Sequence, residues 1–162
     1  MNEPIQLEDQ NVHEVASLLI PLASCQLLVP TVTVAEMVPF QWPDHDAESP
    51  DWYLGDIFWR EQPVPIVCYE VMNGEAMPAF STMSRIAVLN NTGIDDSLPF
   101  IGIASQGIPR LSRVKDDEIH HQENAQIKTF DLMAVAHAGE EVIIPNVPAL
   151  EQAFIDYKNA VK

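Results

Sequence analysis

Before residue 60 the chain contains neither lysine nor arginine. All eight basic residues lie from Arg60 onward, against 24 aspartates and glutamates, and the net charge is −16. This shortage of cations excludes nucleic acid as a partner, because phosphate contacts need clustered Lys and Arg. It also excludes an anionic membrane surface. Long hydrophobic runs are missing too. The longest apolar stretch, residues 18–38, is broken by Pro21, Ser24, Gln26, Pro30, Thr31, Thr33 and Glu36, so it does not read as a transmembrane helix. Residues 1–10 carry no base, so no secretory signal is expected and the cytoplasm is the expected compartment. Cysteine is limited to Cys25 and Cys68, both in apolar segments, which reads as two buried free thiols rather than a disulfide.

Catalytic motifs are missing as well. There is no Gly-x-Ser-x-Gly elbow and no Walker A loop, and neither cysteine has a Cys-x-x-Cys partner. The five histidines are His13, His45, His120, His121 and His137. Asp44-His45-Asp46 superficially resembles a metal site, but no second cluster with ligand spacing accompanies it. It reads as an exposed loop, and His120-His121, beside Asp116-Asp117-Glu118, as a solvated polar segment. No metal and no cofactor are expected. A small acidic β-barrel enzyme is a distant alternative, resting only on these loop carboxylates and histidines.

The chain does have thirteen prolines, which with six glycines cut the sequence into short pieces. Apolar and β-branched segments at 17–22, 26–29, 31–38, 52–59, 64–71, 85–89 and 98–104 read as strands. Residues 132–136 and 141–144 form a hairpin around Ala138-Gly139. Residues 40–50 and 75–83 read as loops, and 116–128 as polar and exposed. One helix is clear, over 148–161. Asn146 and Pro148 stand at its start, and Leu150, Phe154, Tyr157 and Val161 make one apolar stripe. Many short strands and one late helix give a mostly-β protein, a sandwich or small barrels. One domain is expected over 15–158, with residues 1–14 as a polar N-terminal extension.

The segment PDWYLGDIFWREQPVPIVCYEV, residues 50–71, is the most informative. It reads as strand, tight turn, strand, with Arg60 isolated at the turn. Arg60 reads either as a turn residue paired with Glu61 or another local acid, or as a bidentate anchor for a partner carboxylate. Trp42, Trp52 and Trp59 fall within eighteen residues. The strand that holds the last two has apolar residues on both faces. Either both faces are buried between layers, or one face waits for a partner. The acidic surface itself reads as a solubilising one, or as a negative face for a basic partner.

Gly55, then Ile57-Phe58-Trp59, Arg60 and Val64-Pro65-Ile66-Val67 resemble in spacing the central motif of the CheW-like chemotaxis coupling proteins. Upstream, Leu28-Val29-Pro30 and Val34-Ala35-Glu36-Met37-Val38 are similar to the family's apolar-Pro strand end and the step that follows it. Downstream, Phe100-Ile101-Gly102-Ile103 resembles a glycine-bearing strand, and 132–150 resembles the closing strands and the start of the last helix. The resemblance covers roughly residues 15–155. Three positions depart from the pattern. Glu61 replaces a glycine, which calls for a different or a strained turn, Cys68-Tyr69 replaces Asp-Leu, and Ser105 replaces an aspartate. The chain looks like a divergent member, most similar to ChpC-type adaptors of type IV pilus chemosensory systems.

The resemblance implies two SH3-like five-stranded β-barrel subdomains packed on a shared core, with a C-terminal helix. It implies a non-enzymatic adaptor that couples the cytoplasmic tips of chemoreceptors to the regulatory domain of a CheA-like histidine kinase, in a twitching motility pathway. By position, Val34, Glu36, Arg60 and Gly102 match places used for partner binding, and a receptor groove near Val34 adds Met37 to the expected contacts. The alternative is a divergent CheW-like scaffold that binds a different signalling partner.

Overall fold

The computed structural model describes residues 14–161. The extension expected over residues 1–14, together with His13, therefore lies outside the described residues, apart from Glu14. The strands are β1 (Glu14–Pro21), β2 (Gln26–Pro30), β3 (Val34–Pro39), β4 (Tyr53–Trp59), β5 (Gln62–Val67), β6 (Arg85–Asn90), β7 (Phe100–Ser105), β8 (Arg110–Lys115), β9 (Ile119–His121), β10 (Asp131–His137) and β11 (Glu140–Pro145). The α-helices are a single turn, α1 (Tyr69–Met72), and α2 (Val147–Ala160). The first sheet has the order β8-β1-β2-β11-β10-β9 and the second β3-β6-β7-β5-β4. Pairing is antiparallel except at β2–β11 and β5–β7.

Strand alternation explains how two sheets make one body. In β6, Ile86 and Val88 face one apolar cluster while Ala87 and Leu89 face another. In β2, Leu27 and Val29 face the second of these clusters while Leu28 faces a third. The same split recurs in β1 with Ile20 against Leu19, in β10 with Ala134 against Val135, and in β11 with Ile143 against Val142. Successive side chains of a strand point to opposite faces. Each central strand therefore fills the inside of its own curled sheet with one face and a shared layer with the other. This is why the strands read as unbroken apolar runs instead of apolar–polar alternation.

In both sheets, strands far apart in the order are tied by side chains. In the second, Trp59 Nε1 of β4 donates to Glu36 Oε1 of β3 at 3.1 Å, joining the two edge strands. In the first, Ser112 Oγ of β8 and His137 Nε2 of β10 are hydrogen-bonded at 3.0 Å. Helix α2 closes the shared layer with Val147, Leu150 and Phe154. Asn146 caps it by accepting from Ala149 N, as its place in the sequence suggests. The apolar stripe stops one turn early, since Val161 lies beyond the helix and is exposed. The carboxylate of Glu151, buried on the same helix, accepts from Thr92 N and Thr92 Oγ1 and holds the β6–β7 connection.

The mostly-β architecture with two sheets and a terminal helix is the one expected, with three differences. The first sheet has six strands, because the polar segments RLSRVK and IHH form its two edges. The strand expected over 31–38 begins only at Val34, after a 3-10 turn at Thr31–Thr33 that follows Pro30. The strand expected over 64–71 ends at Val67 and passes into α1.

Two glycines are required by close approach. Gly55 has φ +119°, and a Cβ there would lie 2.0 Å from Asp44 O, so only glycine lets residues 40–50 close onto β4. Gly102 is buried between β5 and β6, and a Cβ there would lie 2.4 Å from Ile66 Cδ1 and 3.0 Å from Ile86 Cγ2. Gly102, expected among the partner contacts, is thus an internal position with a packing role. Gly102→Ala is expected to cost about 1–3 kcal/mol through overpacking, read as a lower denaturant midpoint. Partner affinity per folded molecule should be unchanged; a loss of affinity at wild-type stability would restore Gly102 to the site.

Candidate partner-binding site

The candidate site starts from the geometry of β3, which has one strand neighbour, β6, and so forms a sheet edge. A register shift between Val34 and Glu36 marks a bulge there, a device that re-aims side chains at edges. Val34 and Met37 are half-buried and pack against the shared layer, whereas Ala35 and Val38 pack into the interior of the second sheet. Glu36 is exposed between them. The edge thus presents a carboxylate flanked by two apolar side chains that reach toward the seam between the sheets.

Arg60 comes from the opposite edge of the same sheet. Trp59 pairs with Gln62, which leaves Arg60-Glu61 as a two-residue hairpin loop. Both residues have positive φ, 49° and 66°. That is the mirror-image turn that fits the twist of a tight hairpin, and it favours Asn and Gly over Arg and Glu. Glu61, where the resemblance expects glycine, therefore sits in a left-handed conformation. The turn is kept with strain, at roughly 1 kcal/mol for each residue forced left-handed. The β10–β11 hairpin shows the relaxed version, with Ala138 (φ 52°) followed by Gly139 (φ 80°).

Curling of the sheet brings these edges together. Arg60 Nη2 lies 3.5 Å from Glu36 Oε1, with the Arg60 side chain 66% and the Glu36 side chain 45% exposed. The guanidinium sits 4.4 Å from the centroid of the Trp59 ring. An exposed ion pair of this length adds at most about 1 kcal/mol, and the cation–π contact about 0.5–1 kcal/mol. Arg60 is thus oriented by Glu36 and Trp59 and still open to solvent. Its acidic neighbour is Glu36 rather than Glu61, a pairing that spans 24 residues of sequence. Trp59 was legible only as an aromatic on a strand. Its role in linking Glu36 to Arg60 follows from the curl of the sheet and has no local sequence signal.

Of the five residues expected to contact partners, Val34, Glu36 and Met37 share β3, Arg60 joins them across the sheet closure, and Gly102 lies inside. The other candidates behave as packing or surface. Cys68 is buried and Cys25 half-buried, and both are free. Burial is the leading cause that pushes each thiol up to about 12, where it is a poor nucleophile. His45, His120 and His121 are exposed, and among the described residues no three His, Cys, Asp or Glu side chains are grouped to hold a metal ion. Among the described residues no helix is long and apolar enough to cross a membrane.

The described residues thus form a two-sheet β fold with a shared core, a terminal helix and an exposed Arg-Glu pair at one sheet closure. The family model of the CheW-like domain matches residues 16–153, and the chain belongs to that family, whose members are non-enzymatic scaffold or adaptor proteins. Among solved structures, the scaffolding protein TtCheW from Thermoanaerobacter tengcongensis is similar in fold. It has a TM-score of 0.69 and 16% sequence identity, with 81% of this chain and 88% of that chain covered. Curated protein sequences gave no match.

Glu61→Gly is expected to stabilise the protein by about 1 kcal/mol by relieving the left-handed strain, seen as a higher melting temperature. A lower melting temperature would show that the Glu61 side chain holds the turn.

Proposed function

We propose that this chain is a chemotaxis adaptor that couples chemoreceptors to a CheA-like histidine kinase. The observation that carries the reading is the solvent-open Glu36–Arg60 pair, set at the sheet closure of a CheW-like domain. Val34 and Met37 supply apolar contacts for a receptor tip beside the seam between the sheets. Arg60 offers a guanidinium fork to a carboxylate, and Glu36 an acceptor to a base. The adaptor fixes geometry; it makes and breaks no bonds. Its partners are the cytoplasmic tip of a receptor and the regulatory domain of the kinase, which sets the adaptor in the cytoplasm.

The pathway we propose is the chemosensory control of type IV pili and twitching motility. The reading is supported by the chain's divergence from the family pattern at Glu61, Cys68-Tyr69 and Ser105, together with its overall resemblance to ChpC-type adaptors. A second reading, a scaffold for a different signalling partner, is favoured by the strained Arg60-Glu61 turn, where the family pattern has glycine.

Arg60→Ala tests the coupling reading. Truncating one member of a desolvated charge pair costs about 2–5 kcal/mol, so affinity for the kinase or the receptor tip should fall at least about tenfold, with an unchanged circular dichroism spectrum. Wild-type affinity for both partners would remove Arg60 from the interface.

A further inference from the structure

The outward face of β4 carries a second feature. Asp56, Phe58 and Arg60 point to solvent, while Ile57 and Trp59 point inward. Phe58 is 75% exposed and Trp42, on the β3–β4 connection, 65% exposed. Trp42 is not a loose tip. It meets Phe40 and Phe80 edge-on at 5.2 and 5.5 Å, and those two rings stack at 4.4 Å. The connection is fixed on β4 by a backbone bridge between Asp44 and Asp56, over Gly55. Between Trp42 and Phe58 lies an open cleft of about 490 Å³, whose lining includes Asp44, Asp56, Tyr53 and Pro63.

Its electrostatics are one-sided. Ion pairs among the described residues join Arg60 to Glu36, Arg110 to Glu140, Arg113 to Glu14 and Lys128 to Glu75, and none of these involves a residue lining the cleft. Tyr53 Oη donates to Asp56 at 2.5 Å, which orients the carboxylate without neutralising it. Asp46, Glu48 and Asp51 follow on the same connection, and no base precedes Arg60. A ring-held Trp42 and an exposed Phe58, rimmed by carboxylates that form no ion pair among the described residues, make a surface for a cation on an apolar frame, since guanidinium stacks on indole and pairs with carboxylate.

We infer that this cleft docks an arginine-bearing segment of a partner protein, with apolar side chains flanking the arginines. Charge complementarity selects this occupant. A second copy of a chain with net charge −16 is repelled, and residues 1–13 hold three acids and no Lys or Arg. The inference does not rest on the coupling reading, because it uses Trp42, Asp44, Asp56 and Phe58 instead of Val34, Glu36, Met37 and Arg60.

The test uses the full chain, ¹⁵N-labelled, and two capped hexapeptides, Leu-Arg-Phe-Arg-Leu-Arg and its glutamate counterpart. The arginine peptide should shift the Trp42 indole and Phe58 amide signals and leave the Trp52 and Trp59 indoles in place. Affinity should fall at least about fivefold in Trp42→Ala, and likewise in Asp44→Asn/Asp56→Asn. Salt at about 0.5 M should weaken binding. Four results would overturn the inference: no shift at millimolar peptide, equal shifts with the glutamate peptide, shifts centred on Glu36 and Arg60, or shifts that grow with protein concentration alone and so assign the cleft to a second copy. Failure here with kinase binding intact removes only this cleft, whereas wild-type kinase and receptor binding in Arg60→Ala removes only the coupling site.

Discussion

The shared apolar layer between the two sheets is the constraint on which everything else depends. Ile20 and Leu27 from one sheet, Leu89 and Ile101 from the other, and Leu150 from the terminal helix are all fully buried in it. Burying side chains of that size is worth about 1.5–3 kcal/mol each. The layer forces the central strands to be apolar on both faces and the sheets to curl around separate interiors. Curling in turn brings the edges of the second sheet together, where Trp59 reaches Glu36 and Arg60 becomes a neighbour of β3. The candidate coupling site is thus a consequence of core packing, with its polar members at the rim of a buried frame.

This order of causes explains the distribution of strain and charge. The second interior is narrow enough that position 102 has no room for a methyl group. The Arg60-Glu61 turn has a left-handed conformation that its residues do not favour, because the Trp59–Gln62 pairing leaves only two residues to close the hairpin. Acids that would be costly inside are each given donors. Glu70 accepts from Ala23 N at 2.9 Å, and Asp131 accepts from Tyr69 Oη at 2.6 Å. Most of the other acids among the described residues are exposed.

Much of the frame was legible in the sequence. The β10–β11 hairpin, the Asn146 cap and the Leu150, Phe154 and Tyr157 stripe follow from local chemistry, and so do the strands whose apolar runs cross the shared layer. Strands β8 and β9 were not legible, because edge strands with one buried face and few apolar residues do not differ from polar loops. Arg60 could be singled out by its isolation, but its carboxylate partner could not, since that contact joins opposite edges of a sheet. The buried role of Gly102 needed the positions of Ile66 and Ile86. The exposure of Phe58 beside buried Trp59 settled which face of β4 looks outward, a question that the sequence pattern left open.

The central claim is that the β3 edge and the Arg60 turn form one partner surface set by the sheet closure. Mapping the amide shifts of the labelled protein on adding the regulatory domain of a CheA-like kinase, and separately a receptor-tip peptide, tests it most directly. The account predicts that, for at least one partner, perturbed amides cluster at Val34–Val38 and Trp59–Glu61. Perturbations confined to the β8 and β9 edges of the other sheet for both partners would contradict it.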